Sequence, residues 1–401
     1  MQAGRVRMAG VAGRTAVSAI FASRLHLDLT SVLIEKLLRS CGDIDTIYVL
    51  IRNKKGKDAT ARLHEMLNEF LFEKAHEVNP KGIHKVVPIV GDMELPGLGM
   101  SDEDRKTVTS KATVIINAAA TVKFDEKLSV ATAINVKGTR EVLRLANECR
   151  NLKAITHVST AFANTHIKYI EEKFYEPPMS VEALEAVSEL NEELVEGILP
   201  TQTSDIPIYN FVSGAQNPIR WGKFIELNRQ FGIEVPTTKA VWYYGLNPTN
   251  NYYMFLFYNF FLHYLPALLV DTYCALTGRR RAMLKLYSKV MKMANILFYF
   301  STQDWKFSDR NVRGMWSSLS NADKAMFPFS LREMSWVRLC ETFLIGLRVY
   351  LIKDDLSTLP EARKKWNRLF YLHQILKTLL VILILNLTYV VLKPIFSAIL
   401  G

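Results

Sequence analysis

Between residues 46 and 160 one pattern recurs: a short run of aliphatic and β-branched residues stops at a polar or small residue, and an amphipathic stretch follows. The apolar runs are Thr46–Arg52 (TIYVLIR), Lys85–Asp92 (KVVPIVGD), Thr113–Ala120 (TVIINAAA) and Lys153–Thr160 (KAITHVST). Short continuous runs of this kind predict strands buried on both faces. Helical periodicity fills the intervals. Ser31–Cys41 sets Val32, Leu33, Leu37 and Leu38 on one side, and a helix is expected around Ala59–Ala75. Another begins at Ser101, which has capping-box spacing to Asp104. Ala133–Arg150 is a helix with Val136, Val142, Leu143, Leu145 and Ala146 on its buried side. This alternation predicts an α/β fold with a doubly wound parallel sheet.

Outside that region the texture changes. Residues 1–30 contain Arg5, Arg7, Arg14 and Arg24 and no acid before Asp28. They read as a mitochondrial-type presequence or as an alternative first exon. No strand is predicted there, and Gly10 and Gly13 therefore follow none. Ser180–Ile198 is an acidic helix with six glutamates, and Pro200–Asp205 links it to a β-like run at Ile206–Gly214 (IPIYNFVSG). Tyr252–Val270 is 19 residues without a formal charge, rich in Tyr and Phe, and Ala282–Arg368 reads as basic, aromatic helices. Thr378–Leu392 is charge-free between Lys377 and Lys393. As a helix it reaches about 22 Å, which snorkelling lysines and the following PIFSAIL extend toward a bilayer core of roughly 30 Å. The expected partition is a divergent segment 1–30, a dinucleotide-binding domain 31–222, an aromatic linker 223–281, a helical domain 282–370 and a membrane-associated tail 371–401.

Composition sharpens two points. Hydrophobic residues at 49% of 401 exclude a disordered chain and allow two or three cores. The net charge of +11 lies in the second half, where Arg279 onward carries 20 Lys and Arg against 8 Asp and Glu. No arginine-rich helix or zinc spacing supports nucleic acid, whereas the same half holds the long apolar runs, so lipid is the expected partner. Cys41, Cys149, Cys274 and Cys340 are scattered, without metal-ligand spacing. Nothing in the pattern specifies an oligomer.

The strand ends carry the candidate chemistry. A doubly wound sheet binds ligands across the carboxyl ends of its strands. Arg52, with Lys54 and Lys55 close behind, sits where a cation would accept the 2′-phosphate of NADP, though a solvated basic strand end has the same appearance. Gly91 and Asp92 fit an adenine-edge contact. Asn117, Ala118 and Ala119 let backbone approach a cofactor closely, and Asn135 either ties neighbouring segments together or lines the site. Ser159 and Thr160 place hydroxyls where a substrate carbonyl would be polarised, and ordinary strand-end chemistry is the alternative. His157 reads as a packed core histidine.

Longer strings carry a resemblance. YVLIRNKKGKDATARL, VGDMELPGLGMS, INAAATVKFDEKL, INVKGTREVLRLA and HVSTAFAN resemble the fatty acyl-CoA reductases, alcohol-forming relatives of the extended short-chain dehydrogenases. YNFVSGAQNPIRWGKF and MANILFYFSTQDWKFSDRN resemble the linker and C-terminal domain of that family, so the likeness covers Ser31 to about Arg368. It implies a Rossmann-like sheet and NADPH-dependent, two-step reduction of a long-chain fatty acyl-CoA to a primary alcohol through an aldehyde. It also implies that Thr160 acts beside a catalytic Tyr-x-x-x-Lys. Sugar-nucleotide epimerases share such a sheet but leave the basic half and the apolar tail unexplained.

The chain departs from the family pattern twice. A TGxTGFxG-like loop should precede Val32, where LHLDLT stands instead. The Tyr-x-x-x-Lys helix should lie between the acidic helix and IPIYNFVSG, where only Pro200–Asp205 is found; Tyr169-Ile-Glu-Glu-Lys173 reads as a chance match. Losing the glycine loop removes backbone donors for the pyrophosphate, and losing the general acid costs about 10²–10⁴-fold in rate. The expectation is a membrane-attached reductase by family, with weak activity in this form. The rival is a catalytically inactive membrane-bound variant that binds acyl chains or partners. The basic residues before the tail favour an intracellular membrane, endoplasmic reticulum or peroxisome, with the sheet domain facing the cytosol.

Overall fold

The computed structural model describes residues 16–21, 29–53, 56–122, 126–177, 179–189, 206–244, 249 and 251–400. Its elements run β1 (Ala16–Phe21), α1 (Leu29–Ser40), β2 (Ile44–Ile51), α2 (Ala59–Leu67), α3 (Glu73–Val78), β3 (Val86–Val90), α4 (Asp102–Lys111) and β4 (Val114–Asn117). They continue through α5 (Leu128–Thr132), a π-turn at Ala133–Gly138, α6 (Thr139–Glu148), β5 (Ala154–His157), β6 (Tyr169–Ile170) and α7 (Val181–Glu189). After these come α8 (Trp221–Glu234), α9 (Tyr252–Asn259), α10 (Leu265–Leu276), α11 (Met283–Thr302), β7 (Lys306–Phe307), α12 (Arg310–Ser318), α13 (Asn321–Met326), α14 (Trp336–Gly346) and α15 (Leu359–Leu400). The chain divides into two units, Met1–Gln216 with Trp305–Leu331, and Asn217–Asp304 with Arg332–Gly401.

The first unit is built on a parallel sheet in the order β3-β2-β1-β4-β5. Its central strand lies in the segment expected to be divergent and strandless. AVSAIF has no charge and no proline, and Ala19, Ile20 and Phe21 are fully buried between β2 and β4. Alternation along the strands makes two cores. Ala19, Phe21, Tyr48 and Leu50 face the layer of α4 and α6, whereas Ile20, Ile47, Val49 and Ile51 face α1, α2 and α3. This is the doubly wound arrangement, with helices covering both faces.

Several expectations change in detail. Strands stop earlier than the apolar runs, so Arg52, Gly91, Ala118 and Ser159 lie just beyond strand ends. The helix expected over Ala59–Ala75 is broken at Asn68–Phe72, where Phe72 buries its ring and the chain turns through a short 3-10 segment into α3. Ser101 does cap α4, its Oγ accepting from Asp104 N at 3.1 Å. In α6, Val142, Leu145 and Ala146 are buried while Leu143 is exposed, because at about 100° per residue it falls outside the face that the other three share. His157 is exposed rather than packed, since β5 is an edge strand. Of the acidic helix Ser180–Ile198 only Val181–Glu189 is described; residues 190–205 lie outside the described residues, as do Lys54 and Lys55.

IPIYNFVSG forms no strand; it is an extended segment held by polar contacts. Asn210 is buried and donates to the carbonyls of Ile170 (3.4 Å) and Ser308 (3.0 Å). Asn311 donates to the carbonyl of Ile208 (2.7 Å). Glu172 accepts from the backbone N–H of Asn210 (3.0 Å) and, at the start of α12, from that of Asn311 (2.6 Å). These bonds, with the pairing of β6 to β7, place residues 305–331 in the first unit.

In the second unit α8 packs on α14 through Leu227, Phe231 and Cys340. A buried polar lock precedes α15. Arg348 is enclosed and donates to the carbonyls of Pro236, Asp354 (3.2 Å) and Asp355 (3.0 Å). The Asp354 carboxylate, 3.5 Å from Arg348, accepts from Thr237, Thr238 and Thr358. Among the described residues two helical stretches, Tyr253–Leu276 and Leu356–Val390, are long and apolar enough to cross a membrane. The tail belongs to a continuous helix of 42 residues, well beyond the 378–392 stretch.

Hydroxyl and amide donors from Thr237, Thr358 and Thr238 hold the Asp354 carboxyl below the ordinary carboxylate range. A depressed folded-state value stabilises the fold above the unfolded value of about 4 and is lost as pH falls below it. Acid titration of the native chain should therefore show stability declining from about pH 4 downward, with a shallower slope in Asp354→Asn. At neutral pH that variant, leaving Arg348 buried without its counter-charge, should be destabilised by about 3 kcal/mol. Thermal denaturation across pH measures both; equal slopes would remove Asp354 from the account.

Candidate active site

Parallel register brings the strand ends into one row: Phe21 pairs with Leu50 on one side and Asn117 on the other, and Asn117 pairs with His157. The strand order reverses between β1 and β4, the switch point at which such sheets open a crevice for ligands. All nine residues singled out from the sequence belong to this edge or to the loops and helix beside it.

On the β2–β3 side, Arg52 Nη1 lies 3.6 Å from Asp92 Oδ2 and 3.5 Å from Glu94 Oε1. Asp92 also accepts from Glu94 N at 3.1 Å, so its carboxylate orients both its own loop and Arg52. Gly91 is set by packing: a Cβ there would sit 2.5 Å from the Leu98 carbonyl oxygen and 2.5 Å from Leu50 Cδ1. Sequence reading missed Arg62. From α2 its guanidinium donates to the Arg52 carbonyl, and desolvation followed by repulsion from Arg52 lowers its pKa. Its signal was the ARL of α2, one helical turn past the Asp58 cap that bonds Ala61 N at 2.7 Å.

On the β4–β5 side, Asn117 is buried, its Oδ1 accepting from Ala119 N (3.2 Å) while Nδ2 meets His157 Nδ1 (3.2 Å). Ala118 N donates to the Phe21 carbonyl at 3.1 Å, continuing the sheet one residue past β4. Ala119 belongs to the core. Asn135 makes a reciprocal pair with the Thr121 backbone, accepting from its N–H (2.8 Å) and donating to its carbonyl (3.2 Å). It thus fixes the loop after β4. Ser159 and Thr160 are exposed beyond β5, and Thr160 Oγ1 accepts from Phe162 N at 3.2 Å.

Tyr169 and Lys173 do not form a helical pair. Tyr169 is in strand β6, and Lys173 bonds Glu171 at 2.6 Å and lies over the Tyr175 ring. An extended backbone does not bring residues four apart onto a shared helix face.

The two halves of the crevice differ in their fit to a dinucleotide. At the β2 end two arginines, Arg52 and Arg62, lie beside two carboxylates, Asp92 and Glu94, that face Arg52. The connection from β1 to α1, residues 22–28, contains no glycine, so the close backbone approach of a pyrophosphate loop lacks its usual residue.

Two family models, both described as male sterility protein, match residues 29–209, for the NAD-binding part, and 262–354. The fatty acyl-CoA reductase wat of Drosophila melanogaster is 32% identical, covering 85% of this chain and 86% of its own length. This chain belongs to the fatty acyl-CoA reductase family. Fatty acyl-CoA reductase 1 of Homo sapiens is 26% identical over 89% of each chain. Among solved structures, the terminal R domain from the myxalamid PKS-NRPS biosynthetic pathway is 26% identical, covers 44% of each chain and has a TM-score of 0.34. The Drosophila alignment runs 443 positions, yet 85% of this family member's 401 residues is about 341. About 100 positions of that reductase therefore stand opposite no residue here. The NAD-binding match makes a nicotinamide dinucleotide the cofactor class of this reductase-family sheet.

Proposed function

We propose that the crevice is that of an NADPH-dependent reductase of long-chain fatty acyl-CoA, and that this form makes little or no alcohol. The observation that carries the cofactor reading is Arg52 at the end of β2 with Arg62 beside it, a 2′-phosphate taking the place that Asp92 and Glu94 hold against Arg52. Bound NADPH would supply hydride. Reducing the thioester once releases the CoA thiol and an aldehyde, and a second reduction gives the alcohol, with two hydrides and two protons taken up per acyl group. Thr160 holds the carbonyl oxygen. Its oxygen already accepts a backbone N–H, which strengthens its own O–H as a donor. Asn117, Asn135 and Asp92 hold the loops on which that crevice depends.

Low turnover follows from two observations. Tyr169 lies on a strand and Lys173 is paired with Glu171, so neither is placed as a proton donor for the developing alkoxide. The positions of the relatives without counterpart here coincide, in our reading, with the Tyr-x-x-x-Lys segment replaced by Pro200–Asp205. The same observations favour the second reading, a membrane-bound variant that binds acyl chains or partners without turnover. Purified chain with NADPH and long-chain acyl-CoA should give no alcohol above a heat-killed control. Robust turnover lost in Tyr169→Phe would overturn this and establish the strand-borne tyrosine as the acid.

Cofactor choice is tested by binding alone. NADPH should bind more tightly than NADH, and Arg52→Asp should cut that preference about tenfold or more through loss of a charge-assisted contact. Equal affinity in the unchanged chain refutes the cationic reading.

The tail supports an integral intracellular-membrane location, endoplasmic reticulum or peroxisome, with Arg363, Lys364, Lys365 and Arg368 keeping the sheet unit cytosolic. Full-length chain should resist alkaline carbonate, and deletion of residues 370–401 should release it from the carbonate-resistant pellet. Carbonate extraction of the full-length chain would show that α15 is not inserted.

A further inference from the structure

Residues 252–302 are arranged inside out. Asn259 of α9, His263 of the π-turn at Phe260–Tyr264 and Asp271 of α10 turn toward α11. Tyr287 OH donates to Asn259 Oδ1, and the His263 ring stacks on Tyr287 at 6.0 Å. Asp271 is buried and caps α11, its carboxylate accepting from the N–H groups of Ala282 (3.0 Å), Met283 (2.9 Å) and Leu284 (3.0 Å). One set of apolar side chains points outward, while Leu284, Met291 and Ile296 are half-buried. On α11, Leu286, Val290, Met293 and Leu297 recur at helical spacing as one stripe, each between 45% and 56% exposed. Lys285, Lys289 and Lys292 form a second stripe, rotated about 100° from the first. Arg279, Arg280 and Arg281 precede the helix, and no acid occurs between Asp271 and Asp304.

We propose that α11 lies in the plane of an anionic membrane surface, with the Leu286–Val290–Met293–Leu297 stripe among acyl chains and its lysines among headgroups. An apolar stripe flanked by lysines is the pattern of an interfacial helix, and the lysine stems reach outward from the apolar boundary. Charge selects the occupant. A second copy docking on the same face would bring two lysine rows and two Arg279–Arg281 runs together, whereas anionic lipid complements them. This attachment is separate from α15 and stands whether or not the crevice reduces acyl-CoA.

The test uses full-length chain in mixed phosphatidylcholine–phosphatidylserine vesicles containing a lipid with a photoactivatable group on its acyl chain. Labelled residues are mapped by peptide mass spectrometry. Adducts are expected on Leu286, Val290, Met293 and Leu297 as well as on α15. Adducts confined to α15 overturn the proposal while sparing the tail reading; adducts on α11 alone do the reverse. Lys285→Glu, Lys289→Glu and Lys292→Glu combined should lower labelling of α11 about tenfold or more and leave α15 labelling unchanged. Labelling indifferent to that change overturns the anionic-surface assignment. Chain-to-chain cross-links through the four apolar residues assign the stripe to a second copy instead.

Discussion

The sheet depends on one strand. Ala16–Phe21 occupies the slot between β2 and β4, pairs with both, and sends alternate side chains into the two separate cores. Without it β2–β3 and β4–β5 would be isolated ribbons, each with an open edge and a single half-covered face, too small to hold a fold. Side chains such as Ile20 and Phe21, removed from water, each contribute about 1.5–3 kcal/mol. Their burial also fixes the register that lines up Phe21, Asn117 and His157, and with them the crevice.

That crevice is uneven. Its β2–β3 side is closed and cross-braced: Gly91 admits the Leu98 carbonyl, Asp92 holds Arg52, and Arg62 is tied to the Arg52 backbone. Its β5 side ends in an edge strand on which Ile155, Thr156 and His157 are exposed. A parallel strand is normally covered on both faces, and an uncovered edge offers unpaired backbone groups to any other strand. The two sides of the crevice are therefore built to different degrees of completeness.

The second unit follows another rule. At Arg348 and Asp354 the charges are enclosed and face each other, and their hydrogen bonds lead to threonines and backbone carbonyls, a soluble-protein solution that fixes the chain before α15. In the α9–α11 hairpin Asn259 and Asp271 are likewise paired inward, while the Leu286–Val290–Met293–Leu297 stripe is left outside. Satisfying Asn259 and Asp271 within the hairpin offsets the desolvation cost that they would carry in an apolar medium.

The amino-acid sequence by itself determined the strand–helix alternation from β2 to β5, the cationic end of β2, the family, and the apolar tail, because each is a local pattern of side-chain types at a fixed period. It also determined the lack of a glycine between β1 and α1. Tertiary structure alone decided the rest. AVSAIF is six residues with no flanking turn signal, and it becomes a strand only because β2 and β4 leave a slot that its shape fills. IPIYNFVSG has strand composition, yet Asn210 finds the carbonyls of Ile170 and Ser308, and a buried amide with two acceptors outweighs local preference. Asn135 and Thr160 were recognisable as polar residues near a strand end, but their bonds to Thr121 and Phe162 depend on loop closure. Tyr169 and Lys173 matched a motif by spacing, and an extended backbone at β6 set them apart, since spacing fixes geometry only once the backbone conformation is known.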